Sequence, residues 1–578
     1  MLFNETKDNL IIMKKIISKI NLKFTFFGLL LLTQQLSFSQ QWNGLTLYSN
    51  GNSTSAFLVD TSNVTVKTWS GLTGGTGYSS YLAPGGTLVR SVKVNNSVFN
   101  GGGACGGIQK IDYNNNLIWD YTHSSTTYYT HHDHCVLPNG NVLMIAYELK
   151  NQSDLAAVGG TAALTSIWPE KIIEVQPTGL TTGNIVWEWH VWDHLVQNVD
   201  PTKSTYQSSI VNHPELLNVN YMTTKDWMHC NGLDYNPILD QIALSSHNLN
   251  EWYIIDHSTT TAEAASHSGG NSGKGGDFLY RWGNPPAYQA TGTKILNVTH
   301  DVHWIPEGHP NAGRLVGFNN QGVSPSVSSV DQIVPPLSNY NYTINTGSAY
   351  TPATYLQRTS GFGYTSNEGS SEQLPNGNQL VCTSIPGKIY ELNPAGVPIF
   401  TISTGAKSSQ AHRYSTCYIN NPAPPQPTIT LSGNNLTTVS ATTYQWYLNG
   451  NLISGATSQN YTPTQSGIYV VRTTDVNGCV YVYSKGYAFT LITAIEELSG
   501  DNISIYPNPT NGIIDIDLNF QTAKHIKVVL FDAYGKKVFE TENRSRLDIS
   551  SLANGGVYFM SISLDGKKPV YKKIVLTK

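Results

Sequence analysis

The chain has 578 residues, more than one hydrophobic core accommodates, so several domains are expected. Only 12% of residues are charged, about half the usual share, and Gly, Ser, Thr, Asn and 33 Tyr take up the difference, which excludes a protein built of long amphipathic helices. The net charge of −4 comes with no basic stripe, so nucleic acid is not an expected partner.

Residues 1–39 read as an export signal. Met13-Lys14-Lys15 is basic, Phe26 to Leu32 is an apolar run, and Ser37-Phe38-Ser39 offers small residues for cleavage. Residues 1–12 then stand upstream of a start at Met13. The apolar run is too short to span a bilayer, and no later segment is apolar enough, so no transmembrane anchor is expected. Six cysteines in an exported chain permit disulfides without fixing their pairing. No CxxC pair occurs.

Residues 41–420 repeat a two-part pattern. One part is an apolar strand led in by a tight turn, as in Leu137-Pro138-Asn139-Gly140-Asn141-Val142-Leu143 and Leu374-Pro375-Asn376-Gly377-Asn378-Gln379-Leu380. The other is an apolar-acidic strand, a turn, and a strand that often ends in Trp, as from Ile111-Asp112 to Trp119 or from Ile255-Asp256 to Trp282. An unpaired second part opens the region (Leu58 to Trp69). An unpaired first part, from Tyr414 through Ile419, closes it. Five complete units and two complementary halves predict a six-bladed β-propeller closed by an N-terminal strand. The stretch from Val330 to Asn345 fits the pattern least.

Fifteen of the 16 histidines fall between His123 and His412. Taking the turn-led strands as the channel-lining ones, His131-His132-Asp133-His134, His229, His300 with His303, and His412-Arg413 stand just before four of them. Strand alternation puts His132 and His134 on one face and His131 and Asp133 on the other. His123, His190, His194, His213, His257, His267 and His309 fall outside the rule and read as surface or structural. His247 reads as a supporting group behind the others. No HExxH motif and no zinc-spaced Cys/His set occurs, so no metal or other cofactor is expected.

Pro422 to Pro427 marks a stiff linker, residues 421–427. Short alternating strands around Trp446 predict a small immunoglobulin-like sandwich over 428–492, with Trp446 as its core plug. The remainder, 495–578, carries Ile505-Tyr506-Pro507-Asn508-Pro509, a strand ending Gly535-Lys536-Lys537-Val538, and Gly556-Val557-Tyr558. These segments resemble the type A C-terminal sorting domain of the type IX secretion system. The resemblance implies a small β-sandwich, the type IX machinery as partner, and delivery to the cell surface or the extracellular space.

His229-Cys230-Asn231-Gly232-Leu233-Asp234, Leu279-Tyr280-Arg281-Trp282-Gly283-Asn284-Pro285, Thr299-His300-Asp301-Val302-His303-Trp304 and Gly317-Phe318-Asn319-Asn320 are similar to segments of the arylsulfotransferase (aryl-sulfate sulfotransferase) family, over roughly 80–420. The resemblance implies a six-bladed propeller that moves a sulfuryl group from an aryl sulfate to a phenolic acceptor through a histidine intermediate. From that resemblance together with the placement before the turn-led strands, His229, His300 and His412 are expected to be catalytic. His132, Asn231, Arg413 and Asn319 are expected to bind substrate. Two departures stand out. Cys382-Thr383-Ser384 lies where the family has a further histidine, and Gln321-Gly322 follows Asn320 where it has an arginine. Two other readings stay open: a non-catalytic propeller binding sulfated glycans or phenolics, and a metal-dependent hydrolase.

Overall fold

The computed structural model describes residues 40–221, 224–491, 503–518, 523–552, 555–565 and 569–577; the expected export signal lies outside them. The described chain is all-β, with only short helices. Among the described residues no helix is long and apolar enough to cross a membrane.

Between Leu45 and Tyr414 the strands form six four-stranded antiparallel sheets. The first unites Leu45–Ser49, Ala56–Val59 and Thr65–Trp69 with Ala411–Tyr414 from the far end of the region. The others begin with Thr76–Ala83, Tyr128–Val136, Cys230–Asn236, Thr299–Trp304 or Ser370–Gln373, and a separate two-stranded pair interrupts the third and the fifth. These five first strands and Ala411–Tyr414 are the edges of their sheets, and each adjoins the next in a cycle.

Two expectations need correcting. The turn-led strands, such as Val142–Glu148 and Gln379–Thr383, are second in their sheets. His131, His132, His134, His300, His303 and His412 therefore lie within edge strands of their own, while His229 stands in the loop just before Cys230–Asn236. The closing strand ends at Tyr414, because Ser415 Oγ accepts the Tyr418 N–H and starts a short helix, Thr416–Asn420. The stretch 330–345, weak in the pattern, lacks the fourth strand of the fifth sheet, which comes later, at Gln357–Thr359.

Two repeated contacts hold sheet to sheet. Trp69, Trp119, Trp189 and Trp282 each donate the indole N–H to a carbonyl associated with the following sheet, at 2.7–3.0 Å. At the centre, carboxylates on first strands accept main-chain N–H groups of the next first strand. Asp133 takes Leu233 (3.0 Å), Asp234 takes Trp304 (2.8 Å), Asp301 takes Ser371 (2.7 Å) and Glu372 takes Arg413 (2.8 Å).

Beyond the sixth sheet, residues 430–489 form a three-stranded and a five-stranded sheet around fully buried Trp446. A Cys417–Cys479 disulfide ties this unit to the preceding one. Glu307 reinforces the junction, receiving Tyr447, Tyr483 (3.0 Å) and Arg472 (2.9 Å). Residues 504–577 form a third unit with its own core around Val528, Leu530 and Met560.

Burial pushes the Asp301 carboxyl well above the usual range. Its Oδ1 faces the Gln410 amide at 3.4 Å, whose own oxygen is buried without a partner. A protonated Asp301 serves that oxygen once the Gln410 amide is turned. A carboxyl whose folded pKa is raised favours the fold at low pH, and the benefit is lost as pH rises above the unfolded value. Asp301→Asn keeps the acceptor for Ser371, tolerates the left-handed backbone and cannot ionise. Thermal melts should therefore show a higher Tm than wild type at pH 8 and an equal Tm near pH 4.

Candidate active site

The cyclic arrangement of first strands brings histidines from three sheets together. Four imidazoles and one phenol form a closed loop of rings. His132 meets His229 at 4.7 Å between centroids, His229 meets His247 at 5.0 Å, and His247 meets His300 at 5.6 Å. Tyr78 closes the loop, 6.5 Å from His300 and 4.8 Å from His132.

Irregular backbone aims these side chains. Register slips between Thr76 and Ser80, Thr130 and His134, Cys230 and Gly232, and His300 and His303 mark a bulge in four successive first strands. His132 (φ 49°), His229 (φ 52°) and Asp301 (φ 58°) take the left-handed conformation at or next to these first strands, and Glu368 (φ 56°) takes it just before the first strand of the sixth sheet. The run Gly101-Gly102-Gly103 lies against the rings. A Cβ on Gly103 would fall 2.2 Å from the His132 ring, and one on Gly102 2.9 Å from His229 Cε1.

Each imidazole is held differently. His229 Nδ1 is 2.6 Å from Asp226 Oδ2, which leaves Nε2 beside Gly102. Burial opposes the charged form of His229, but the hydrogen bond and charge of Asp226 outweigh it and hold the imidazole above its ordinary range. His300 is the converse. Asn320 Nδ2 donates to the Thr365 and Glu368 carbonyls, so its Oδ1 must accept from His300 Nδ1–H at 2.7 Å. The lone pair of His300 therefore sits on Nε2, where the Glu368 N–H approaches to 3.2 Å. Burial, then the neighbouring His247, keeps His300 neutral.

His132 ends a relay. Glu170 Oε2 is 2.8 Å from His131 Nε2, and His131 Nδ1 is 2.9 Å from His132 Nδ1. One proton lies between the two Nδ1 atoms, so the protonation of Glu170 sets whether His132 Nε2 donates or accepts. Burial, then His229, holds His132 far below the ordinary imidazole range. The Tyr78 hydroxyl is buried against this loop with no hydrogen-bond partner. Lys407, partly exposed, pairs with Glu368 at 2.7 Å and is the cation whose field reaches His300.

The remaining expected residues lie elsewhere. His412 belongs to a second cluster, with Tyr81 at 4.5 Å and His134 on the other side of Tyr81 at 5.2 Å. His134 therefore parts from His132, contrary to plain strand alternation, because the bulge resets the period. Asn231 braces strands: its Nδ2 donates to the Thr299 carbonyl and its Oδ1 accepts from Ser245. Asn319 is likewise bound, to Asn297 N–H, the Ile295 carbonyl and Asp331. Arg413 faces the seam between first and sixth sheets, donating to Thr46, Trp42 and Glu391. Sequence reasoning missed Tyr78, Asp226, Asn320 and Lys407 as site members and set His247 behind the others. The local signals were Asp226 standing three residues before His229 and Asn320 within Gly317-Phe318-Asn319-Asn320.

Residues 93–410 match the arylsulfotransferase (ASST) family, and residues 504–577 match the secretion system C-terminal sorting domain. The sorting domain marks the chain for type IX secretion to the cell surface or the extracellular space. No curated protein matches the chain. Among solved structures, a protein of unknown function from Bacteroides caccae is 10% identical with a TM-score of 0.35, covering 64% of this chain and 99% of its own. Apo AztD from Citrobacter koseri is 11% identical with a TM-score of 0.29, covering 78% of this chain and 97% of its own. A virginiamycin B lyase from Staphylococcus aureus, catalytically inactive and bound to quinupristin, is 8% identical with a TM-score of 0.25, covering 71% and 94%.

The left-handed backbone at His132 gives a direct check on the bulge. Urea unfolding should find His132→Gly more stable than His132→Ala by about 1 kcal/mol, since only Gly relieves the strain.

Proposed function

Because this chain belongs to the arylsulfotransferase family, we propose that its ring of His132, His229, His247, His300 and Tyr78 moves a sulfuryl group from an aryl sulfate to a phenol. The cyclic adjacency of six first strands supports reading the sheets as blades of a six-bladed β-propeller, spanning 41–420, with the ring at its axis. The 428–492 unit, with Trp446 between two sheets, is read as immunoglobulin-like.

The observation that carries the reaction is the contrast between two imidazoles of one ring. His300 is neutral with its lone pair fixed on Nε2, the state of a nucleophile. His229 is biased toward its charged form, the state of a general acid. In the first half-reaction His300 Nε2 attacks sulfur, the sulfur–aryl oxygen bond breaks, and His229 Nε2–H protonates the departing phenolate. In the sulfurylated ring the positive charge is shared with Nδ1–H, which Asn320 Oδ1 continues to accept. In the second half-reaction His229 takes the proton of the incoming phenol, whose oxygen attacks sulfur as the N–S bond breaks. The unpartnered Tyr78 hydroxyl and the Lys407 ammonium are the donors suited to the charge on the sulfuryl oxygens. Glu170 and His131 set the donor or acceptor state of His132 beside them.

Mass spectrometry after reaction with a chromogenic aryl sulfate, without acceptor, should find one sulfuryl group on the peptide containing His300. His300→Ala should lose the adduct and at least about a thousandfold in turnover. An adduct elsewhere, or full turnover in the variant, would refute the assignment.

The acid role has its own pH signature. For the donor half-reaction, kcat/KM should fall as pH rises through the His229 pKa. Asp226→Asn removes the group that raises that pKa, so the falling limb should move to lower pH.

A further inference from the structure

A second histidine cluster lies apart from the ring. His194 follows the last strand of the third sheet, after Gly183–His190. His267 and Asp277 belong to the loop between Glu251–Asp256 and Tyr280–Trp282 of the fourth sheet. One ligand atom from each of the three lies within 4.8 Å of the others.

Proton accounting leaves one contact of this cluster unassigned. His194 Nε2 is 2.8 Å from the Ala264 carbonyl, which only accepts, so Nε2 carries hydrogen. In neutral His194 the Nδ1 lone pair then points at Asp277 Oδ1, 2.8 Å away. His267 Nδ1 reaches the same oxygen at 2.7 Å. His267 Nδ1 can donate an N–H to that oxygen, but the contact between His194 Nδ1 and Asp277 Oδ1 is closed only by a proton or a metal ion between them.

Three features favour the metal. An imidazole that gives its other N–H to a main-chain carbonyl is the usual outer support of a metal ligand. The loop is folded tightly against His194. A Cβ on Gly276 would lie 2.0 Å from the Ala264 carbonyl and 2.6 Å from His194 Nε2, and one on Gly275 would lie 2.2 Å from the Ser266 carbonyl. The third feature is access, because the His267 side chain is 62% exposed while those of His194 and Asp277 are 0% and 8%. Two buried ligands and one at the surface leave coordination positions open to water.

We propose that His194 Nδ1, His267 Nδ1 and Asp277 Oδ1 bind a first-row divalent cation, zinc(II) by the nature of the donors, clamping the glycine-rich 266–277 loop to the segment after the third sheet. Two imidazoles and one carboxylate suit zinc and disfavour calcium or magnesium, which take oxygen. The sequence signals no such site because its ligands stand at positions 194, 267 and 277, with no fixed short spacing. The clamp does not depend on the sulfuryl-transfer reading, since none of its three residues belongs to the ring.

The test uses the full chain, stripped with chelator and titrated with zinc(II) by calorimetry, alongside His267→Ala and His229→Ala. His267 is exposed, so its truncation leaves the fold intact, which an unchanged metal-free Tm would verify. Expected is one zinc per chain with a raised Tm in wild type and in His229→Ala, and affinity weakened roughly tenfold or more in His267→Ala. Absence of zinc binding would overturn the proposal. So would binding that survives His267→Ala but fails in His229→Ala, which would place the metal on the catalytic ring. A metal-free His267→Ala already less stable than metal-free wild type would count against it as well, because the cluster would then be a protonated hydrogen-bond knot.

Discussion

Everything at the centre of this protein follows from the open edges of six strands. Each first strand pairs with its own sheet on one side only, and its other side turns inward toward the neighbouring first strands. An unpaired N–H buried there costs about 1–3 kcal/mol. The chain meets this cost with carboxylates. Asp133, Asp234, Asp301 and Glu372 each reach across to a main-chain N–H of the next first strand. The solution is not free of tension, since burial pushes Asp133 up to about 6 and Glu372 up to about 7. The centre is therefore acidic in composition, and burial works against the charge of its carboxylates.

The bulges belong to the same problem. A regular strand sends alternate side chains to opposite faces, and a bulge breaks that order so that neighbouring residues serve different partners. In His131-His132-Asp133-His134, each of the four side chains has a separate task. His131 joins Glu170, His132 joins the imidazole ring, Asp133 takes Tyr81 and the Leu233 N–H, and His134 meets Ser79. The structural carboxylates and the proposed catalytic imidazoles alternate along single strands, so the groups that close the interior also fix the heights of the two histidine clusters.

This explains which parts were legible in the sequence. The repeat is written in turns such as Pro138-Asn139-Gly140 and in Trp69, Trp119 and Trp189, because those residues obey local rules of turn and packing. The recurrence of His132, His229 and His300 in successive units pointed to a shared place, and their rings do meet. Finer placements were not legible where a side chain's partner comes from far away in the chain. Arg413 looked free beside His412, but Glu391 and Thr46 claim it at the seam that the first and last strands create. Asn231 and Asn319 looked like substrate ligands but are spent on bracing strands. Lys407 carried no signal, since its value lies in where the cycle of sheets puts it.

The sixth sheet, where no histidine stands, contributes to the ring by other means. Glu368, in left-handed backbone, gives its N–H toward His300 Nε2 and its carbonyl to Asn320, while its carboxylate binds Ser384, Ser409 and Lys407. One residue thus touches the proposed nucleophile, the amide that fixes its tautomer, and the nearest ammonium. A sulfuryl oxygen drawn to Lys407 competes with Glu368 for that ammonium. A sulfur approaching His300 Nε2 displaces the Glu368 N–H. In the proposed reaction, substrate entry and release of Glu368 would therefore be one event at this wall of the site, with a backbone N–H and a cation standing where the family has a further imidazole.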